Sequence, residues 1–440
     1  MESAGYLGQP SAKRFKPSVS NEFDYFQKEP IQAAIVNEYD REYSPTAAIQ
    51  QNAPIEFEIK GGDRNYLDLN NSKLEIKCRL LEADDGNIAA DANVGLANLT
   101  LHSLFTSVET ELQGQTIGDT NNLYPYRAMF ETLVTTNSLL SKTRLKAVGW
   151  DKDTAGHMAD FRMAADGANE GFKERSNSYR ESAQVTLIGR LHTDIFHQNL
   201  DIPSNVDMKL RLLPSRTPFY IKKPAANDHH YKVQIFHARF LARTKELSPN
   251  IILAHEKMLQ KTNFRIPFTK VSMKRLTIPT GVTNIEFDNV YTGVLPKRVM
   301  LGMVQDADLN GQHTTNQFNF QSFNVRYLSM KVNGQDVTRI PYQPNFATGD
   351  YIREYYCFLE GLGLDVGTKS IDITPTDWST SYNLYVFRLM PSGIQSIPVS
   401  GSARLELKFS IATAQNIIAI LYSESNAILE IDRYRNVIIG

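Results

Sequence analysis

The sequence predicts an all-β chain of two tandem antiparallel sandwiches with short helices in their loops. Three observations carry this. A local sequence recurs at an offset of 220 residues in a chain of 440. Apolar and polar residues alternate with period two over many short runs. The strand–helix–strand rhythm that builds a parallel sheet is missing.

The repeat sets the frame. Leu112-Gln113-Gly114-Gln115-Thr116-Ile117 matches Val332-Asn333-Gly334-Gln335-Asp336-Val337, and upstream Val108 and Thr110 match Leu328 and Met330. Each copy reads as a strand running into a glycine turn. Downstream, each copy reaches apolar residues at i, i+3, i+4 and i+7. They are Tyr126, Met129, Phe130 and Leu133 in the first, and Ile352, Tyr355, Tyr356 and Leu359 in the second. That spacing puts four side chains on one helix face. A strand, a turn and a helix in the same order twice make this a duplicated domain.

The remaining elements follow in chain order. Residues 1–50 carry seven aromatics (Tyr6, Phe15, Phe23, Tyr25, Phe26, Tyr39, Tyr43) without a period, which predicts an N-terminal arm ordered against a neighbour. From Pro54, Ile55, Phe57 and Ile59 alternate with charges, then Leu74, Ile76, Cys78 and Leu80 do the same. One face is buried and one is wet. Residues 138–183 lose the period and gather Gly, Ala, Asp, Asn, Ser and Arg, so they predict a long functional or exposed loop. Strand signals resume at Val185–Ile188, continue through Asp194-Ile195-Phe196, and return at Val206–Leu212 and Tyr231–Ile235.

Ser248-Pro249 starts a connecting helix, with Ile251, Ala254 and Met258 as its stripe. The second half has strand patterns at Val271–Ile278, Asn284–Phe287, Arg298–Val304, Val325–Val332 and Leu384–Leu389. The cleanest alternation is Ala403, Leu405, Leu407, Phe409 and Ile411, the counterpart of the 206–212 strand. Ile417–Leu421 and Ile428–Ile439 close the chain, and its apolar end must be buried in the fold or in a partner. Seven or eight strands per half fit two Greek-key sandwiches. The jelly roll is the common eight-stranded choice, but periodicity alone does not separate it from other Greek keys.

Composition narrows the function. With 47 basic against 48 acidic side chains, the net charge is −1, which argues against a chain that coats nucleic acid. The 2 cysteines, Cys78 and Cys357, make no disulfide framework and suit an intracellular birthplace. Met1-Glu2-Ser3-Ala4-Gly5-Tyr6 lacks the apolar stretch of a secretion signal, and no window is long and apolar enough to span a membrane. Lys13-Arg14-Phe15-Lys16 reads as solvated tail rather than an import signal.

Catalytic and metal patterns are not found. Asp228-His229-His230 reads as a solvated turn. His192 and His197, five apart in a strand-like region, are expected on opposite faces. No carboxylate stands in an apolar setting that would raise its pKa. The reading is not an enzyme, with no cofactor and no metal.

Five stretches carry a resemblance. They are Ala53-Pro54-Ile55-Glu56-Phe57 with Tyr66-Leu67-Asp68-Leu69; Tyr124-Pro125-Tyr126-Arg127-Ala128 with Glu131-Thr132-Leu133; Gly189-Arg190-Leu191-His192 with Asp194-Ile195-Phe196; Ile340-Pro341 with Tyr351-Ile352-Arg353-Glu354-Tyr355; and Leu429-Glu430-Ile431-Asp432-Arg433-Tyr434-Arg435-Asn436-Val437-Ile438. Together they make the chain resemble the major capsid proteins of Polinton (Maverick) elements and of the related adintoviruses, which also occur as endogenous copies in animal genomes. The strings run from about residue 40 to the end and leave the arm and the 138–183 loop uncovered.

The resemblance implies a double jelly roll, two eight-stranded sandwiches in one chain. It implies a homotrimer whose six jelly rolls form a pseudo-hexameric capsomer of an icosahedral capsid, with a separate penton and minor capsid proteins as partners. Localisation would be the virion, with synthesis in the host cytoplasm and assembly there or in the nucleus. Expected divisions are an arm at 1–50, jelly rolls at 51–247 and 263–440, and a connecting helix at 248–262. Gly114, Gln115, Gly334 and Gln335 are structural turns, and Tyr124, Pro125, Tyr126, Arg127, Arg353 and Glu354 are family motif residues. Asp432, Arg433 and Arg435 are expected to form ion pairs at the end of the last strand. The 138–183 segment, with few apolar anchors (Trp150, Met158, Phe161, Met163, Phe172), is expected to be an outward tower rather than a cover over a neighbour. The rival reading is a tandem β-sandwich carbohydrate-binding or adhesion protein, and a jelly-roll carbohydrate-active enzyme is third.

Overall fold

Both halves of the chain wind through their strands in one and the same order. The computed structural model describes residues 32–118, 121–164, 166–338, 340–390 and 400–440. The first half contains β1 (Ile35–Tyr43), β2 (Ile55–Ile59), β3 (Asn65–Glu82), β4 (Phe105–Leu112), β5 (Gln115–Ile117), β6 (Val185–Gly189), β7 (Met208–Pro214) and β8 (Tyr231–Leu247). The second contains β9 (Phe264–Ile278), β10 (Asn284–Val294), β11 (Arg298–Gln305), β12 (Val325–Val332), β13 (Gln335–Asp336), β14 (Leu384–Arg388), β15 (Ser400–Phe409) and β16 (Ile417–Ile431).

The sheets of the first half run β1-β8-β3-β6 and β2-β7-β4-β5; those of the second run β9-β16-β11-β14 and β10-β15-β12-β13. Every named pairing is antiparallel. Adding eight to each strand number of the first barrel gives the second. In each half two facing four-strand paths whose first and last strands are neighbours form a jelly roll, so the chain is a double jelly roll; one sheet of the second half gains a fifth strand at Val437–Ile439.

The repeated sequence is the same hairpin in both barrels. Leu112 pairs with Gln115 and Val332 with Gln335, leaving a two-residue turn in each case. Both turn residues have positive φ: Gln113 49° and Gly114 77°, Asn333 50° and Gly334 84°. A two-residue turn of this hand matches the strand twist and favours glycine at its second position. The duplication therefore preserves turn chemistry, but the turn sits one residue earlier than expected: Gln115 and Gln335 are already paired strand residues.

The three longest helices among the described residues sit in the connections: α1 (Tyr124–Thr135), α2 (Pro249–Leu259) and α3 (Ile352–Leu362). On α1 the expected face is the buried one, with Tyr126, Met129, Phe130 and Leu133 all in the core. The other two helices are rotated from expectation. On α2, Met258 is exposed and Ala254 faces solvent, while Leu259 is buried and His255 accepts or donates at 2.8 Å to the Tyr66 hydroxyl. On α3, Ile352 and Tyr356 are exposed, and the buried residues are Glu354, Phe358 and Gly361. A Cβ on Gly361 would lie 2.7 Å from Val386 Cβ, so the helix rests on β14 through its smallest residue.

Other boundaries move as well. Ile35–Tyr43, expected inside the arm, is β1, paired along its length with β8. It gave no alternation because it is an edge strand with charged side chains outward, as edges often are. The arm's aromatics up to Phe26 lie outside the described residues. At the other end, β17 (Val437–Ile439) pairs with β16 and buries Val437, while Ile438 stays exposed, so the apolar terminus is held by the ladder but only partly buried. Of the three residues expected in ion pairs there, Arg435 alone has one among the described residues, with Glu256 of α2. Asp432 instead accepts the Tyr434 and Asn436 backbone N–H groups at 2.8 and 2.9 Å, closing the β16–β17 turn, and Arg433 lies over the Tyr434 ring.

Residues 138–183 are folded. They contain helices at Ser138–Lys142 and Glu170–Asn177 with shorter turns between. Trp150, Met158, Phe161 and Phe172 are all buried. The premise of few anchors therefore fails: four of the five expected apolar residues are packed.

Candidate functional site

Of the residues singled out in the sequence, the Tyr124-Pro125-Tyr126-Arg127 string lies where the two barrels meet. Helix α1 starts with Pro125 inside its first turn, where a missing N–H costs nothing. Its buried face points at the second barrel. The Tyr126 ring packs edge-on against Phe318 at 5.6 Å, and its hydroxyl reaches Asp308 O at 3.4 Å. Phe130 packs tilted against Phe320 at 5.2 Å and lies 6.1 Å from the Tyr422 ring of β16. Gly302 of β11 makes room: a Cβ there would lie 3.1 Å from Phe130 Cζ and 2.9 Å from Phe320 Cδ1.

Beside this apolar contact lies a buried charge cluster. Arg127, 2% exposed, bonds Asp194 at 2.6 Å and Glu131 at 2.9 Å, one cation between two carboxylates. Both carboxylates then reach the second barrel. Val271 N of β9 donates to Asp194 Oδ1 at 3.2 Å, and the Tyr422 hydroxyl donates to Glu131 Oε1 at 3.2 Å. The Tyr-Pro-Tyr-Arg-Ala and Gly-Arg-Leu-His…Asp-Ile-Phe strings, 60-odd residues apart, are thus two sides of one ion-pair network. Burial would raise Glu131, but Arg127 and the neighbouring imidazoles outweigh it and hold the carboxyl well below the usual range. Burial raises Asp194 and wins over Arg127. This corrects the expectation that no carboxylate has an elevated pKa.

Three histidines line the cluster. His102 is buried, with Nδ1 2.9 Å from the Tyr124 hydroxyl, and burial pushes its pKa well down. Its ring stands edge-on to His192 at 4.6 Å. His192 Nδ1 lies 2.6 Å and His197 Nε2 3.4 Å from Glu131 Oε2. The expectation of opposite faces is overturned, because Asp194–His197 is a 3-10 turn and not a strand. A period-two reading cannot see that the chain turns there. Asp228-His229-His230, in contrast, is an exposed turn, as expected.

A second tie runs through the 138–183 segment. The Tyr382 hydroxyl donates to Asp153 O at 2.7 Å, Lys152 Nζ to Asp377 at 2.8 Å, and Gly156 N to Ser381 Oγ at 2.9 Å. Asp153 itself is locked by Arg175 at 2.8 Å, both groups buried. Lys222 Nζ, also buried, donates to Gln312 O at 2.7 Å, and its burial pushes its pKa down to about 7. Gly311 (φ 79°) lies so close to Phe219 that a Cβ would be 2.3 Å from the Phe219 Cα. The long connections of the two barrels therefore interlock. In the other motif, Glu354 is buried, pairs with Arg353 and accepts Gln343 N at 3.2 Å, which pins α3 to the chain before it.

No helix among the described residues is long and apolar enough to cross a membrane. No protein-family model matches the chain. An uncharacterised protein of Caenorhabditis elegans is 20% identical over 409 residues, covering 89% of this chain and 94% of that one. Among solved structures, a chain of the Sputnik virophage aligns with 100% of this chain and 94% of its own, at TM-score 0.63 and 10% identity. The faustovirus major capsid protein covers 95% of this chain and 93% of its own, at TM-score 0.57 and 8% identity. The mavirus major capsid protein covers 98% and 97%, at TM-score 0.50 and 10% identity. The chain is similar to these structures over both barrels, and its fold is the double jelly roll they share.

Proposed function

We propose that this chain is the structural major capsid protein of an icosahedral virus shell. One observation carries the reading: a single strand order occurs twice in the chain, and the pair aligns end to end with virus capsid chains. A six-fold lattice position needs six similar units, and three copies of a two-barrel chain supply them. The interlocked barrels suit that role, because a capsomer transmits load through the junction between its jelly rolls.

Finer parts of the proposal rest on the sequence strings. They support kinship with Polinton (Maverick) elements and adintoviruses, a separate penton and minor proteins as partners, and virion localisation. The interlocked 138–183 and 372–383 connections are proposed as the outer face. We read no catalytic role in the chain: at the junction Arg127 pairs with Glu131 and Asp194, and each carboxylate also accepts a hydrogen bond from the second barrel. Purified full chain should assemble into shells, alone or with a single-jelly-roll penton protein, visible by electron microscopy. Failure to assemble, together with specific retention on a glycan array, would favour the carbohydrate-binding rival.

A further inference from the structure

Beside the junction, one carboxylate oxygen is left facing two imidazoles. Glu131 Oε1 is occupied by Arg127 Nε at 2.9 Å and the Tyr422 hydroxyl at 3.2 Å. Its Oε2 looks the other way, towards His192 Nδ1 at 2.6 Å and His197 Nε2 at 3.4 Å. One ligand atom from each of the three residues lies within 4.8 Å of the others. We propose that Glu131, His192 and His197 form a binding site for a divalent cation of the Zn2+ type, cross-linking α1 to the 190–197 loop beside the barrel junction.

The geometry fits such an ion. Tetrahedral coordination at about 2.0–2.1 Å separates ligand atoms by about 3.3 Å. The His197–Glu131 edge, at 3.4 Å, already has that spacing. The His192–Glu131 edge, at 2.6 Å, is a hydrogen bond; it opens by about 0.7 Å when the ion replaces the shared proton. Two imidazole nitrogens and one carboxylate oxygen suit Zn2+, Co2+ and their neighbours over Mg2+ or Ca2+. The fourth position is left for water.

The surroundings favour the same reading. Arg127 and Tyr422 fix the carboxylate through its other oxygen, the role that outer partners play in built metal sites. With neutral imidazoles, Arg127, Glu131 and Asp194 together carry one net negative charge, and the Arg190 cation lies near His197 and Glu131. Side-chain exposure rises from 14% at Glu131 to 17% at His192 and 29% at His197, so an ion enters from the His197 side. The other titratable groups that face the site are Arg190, with Arg144 beside it, His102 and Tyr124, whose hydroxyl accepts the His192 N–H at 3.3 Å. The inference stands on this side-chain geometry and is independent of the capsid reading.

The test uses the full chain, stripped with a chelator, loaded with Co2+ and passed through gel filtration. The expected result is one retained Co2+ per chain with a visible d–d absorption that Zn2+ abolishes. His197→Ala, at the exposed edge of the site, should lose the retained Co2+ with unchanged circular dichroism, and His192→Ala should do the same. Binding should weaken at least about 100-fold, since outer partners alone are worth 10–100-fold. His230→Ala, in the exposed turn, should change nothing. No retained Co2+ in the wild-type chain, or retention unchanged by His197→Ala, would overturn the site and leave an ion-free hydrogen-bond network.

Discussion

Arg127→Met removes the cation that pairs Glu131 and Asp194 and leaves both carboxylates in place. Asp194 is 0% and Glu131 14% exposed, so neither can be rescued by bulk water. Glu131 keeps Tyr422 and His192. Asp194 keeps only the Val271 N–H on Oδ1, and its Oδ2 has no hydrogen-bond partner. Breaking a buried pair from one side costs about 3–5 kcal/mol, because a charge stays buried without compensation. We therefore expect a loss of about 4 kcal/mol, a large share of the ~5–15 kcal/mol that holds a typical fold.

The assay is urea unfolding followed by tryptophan fluorescence. Trp150 reports on the 138–183 segment and Trp378 on the second barrel, and both are buried. The double variant Arg127→Met/Asp194→Asn should regain about 2 kcal/mol over the single one, since the uncompensated charge is gone. A single variant within about 1 kcal/mol of wild type, or a double variant that merely adds the two losses, would refute the idea that this cluster locks the barrels.

Other outcomes follow from the same structure. Gly311→Ala combines a left-handed backbone with a Cβ 2.3 Å from Phe219 Cα and should cost about 3 kcal/mol or more, read as a lowered thermal midpoint. Gly334→Ala meets nothing within 4 Å, so it should cost only the about 1–2 kcal/mol of its left-handed turn, in the same assay. Stability should fall as pH drops from 6.5 towards 4. Burial pushes His197 down to about 4 and His102 well below its usual range, so the unfolded chain takes up protons that the folded one refuses. His197 is 29% exposed, so its share is discounted to about 1–2 kcal/mol, and Asp194, raised by burial, blunts the fall by protonating in the folded state. A flat profile of unfolding midpoint between those values would contradict this. Removing residues 1–31 should leave soluble trimers but reduce shell assembly, whereas removal up to residue 45 also deletes β1 and should destabilise the first barrel. Normal shells from the shorter truncation would contradict an arm that orders against a neighbouring capsomer.

Much of the fold was legible because it rests on local chemistry. The Gln113-Gly114 and Asn333-Gly334 turns need positive φ at two successive positions, and few residue pairs allow that. Helix α1 buries one full face, so its spacing betrays it. The misses share a cause: a tertiary neighbour decides, and the period carries no trace of it. Helix α3 turns Glu354, Phe358 and Gly361 inward because Val386 approaches within reach of Gly361. Strand β1 is an edge held by its backbone ladder, so its outward charges hide it. The Glu131–His192–His197 cluster was missed because Asp194–His197 curls into a 3-10 turn, which brings His197 back beside His192. A close reading could have paired Arg127 with Asp194, since both strings that carry them stood out, but nothing local joins them.

Size-exclusion light scattering of the purified chain, with negative-stain microscopy of the peak, tests the capsid reading most directly. The reading predicts about 150 kDa, three times the 49.7 kDa chain, and particles with a six-sided outline. A stable species of one chain mass at all concentrations, with no six-sided particles, would contradict it.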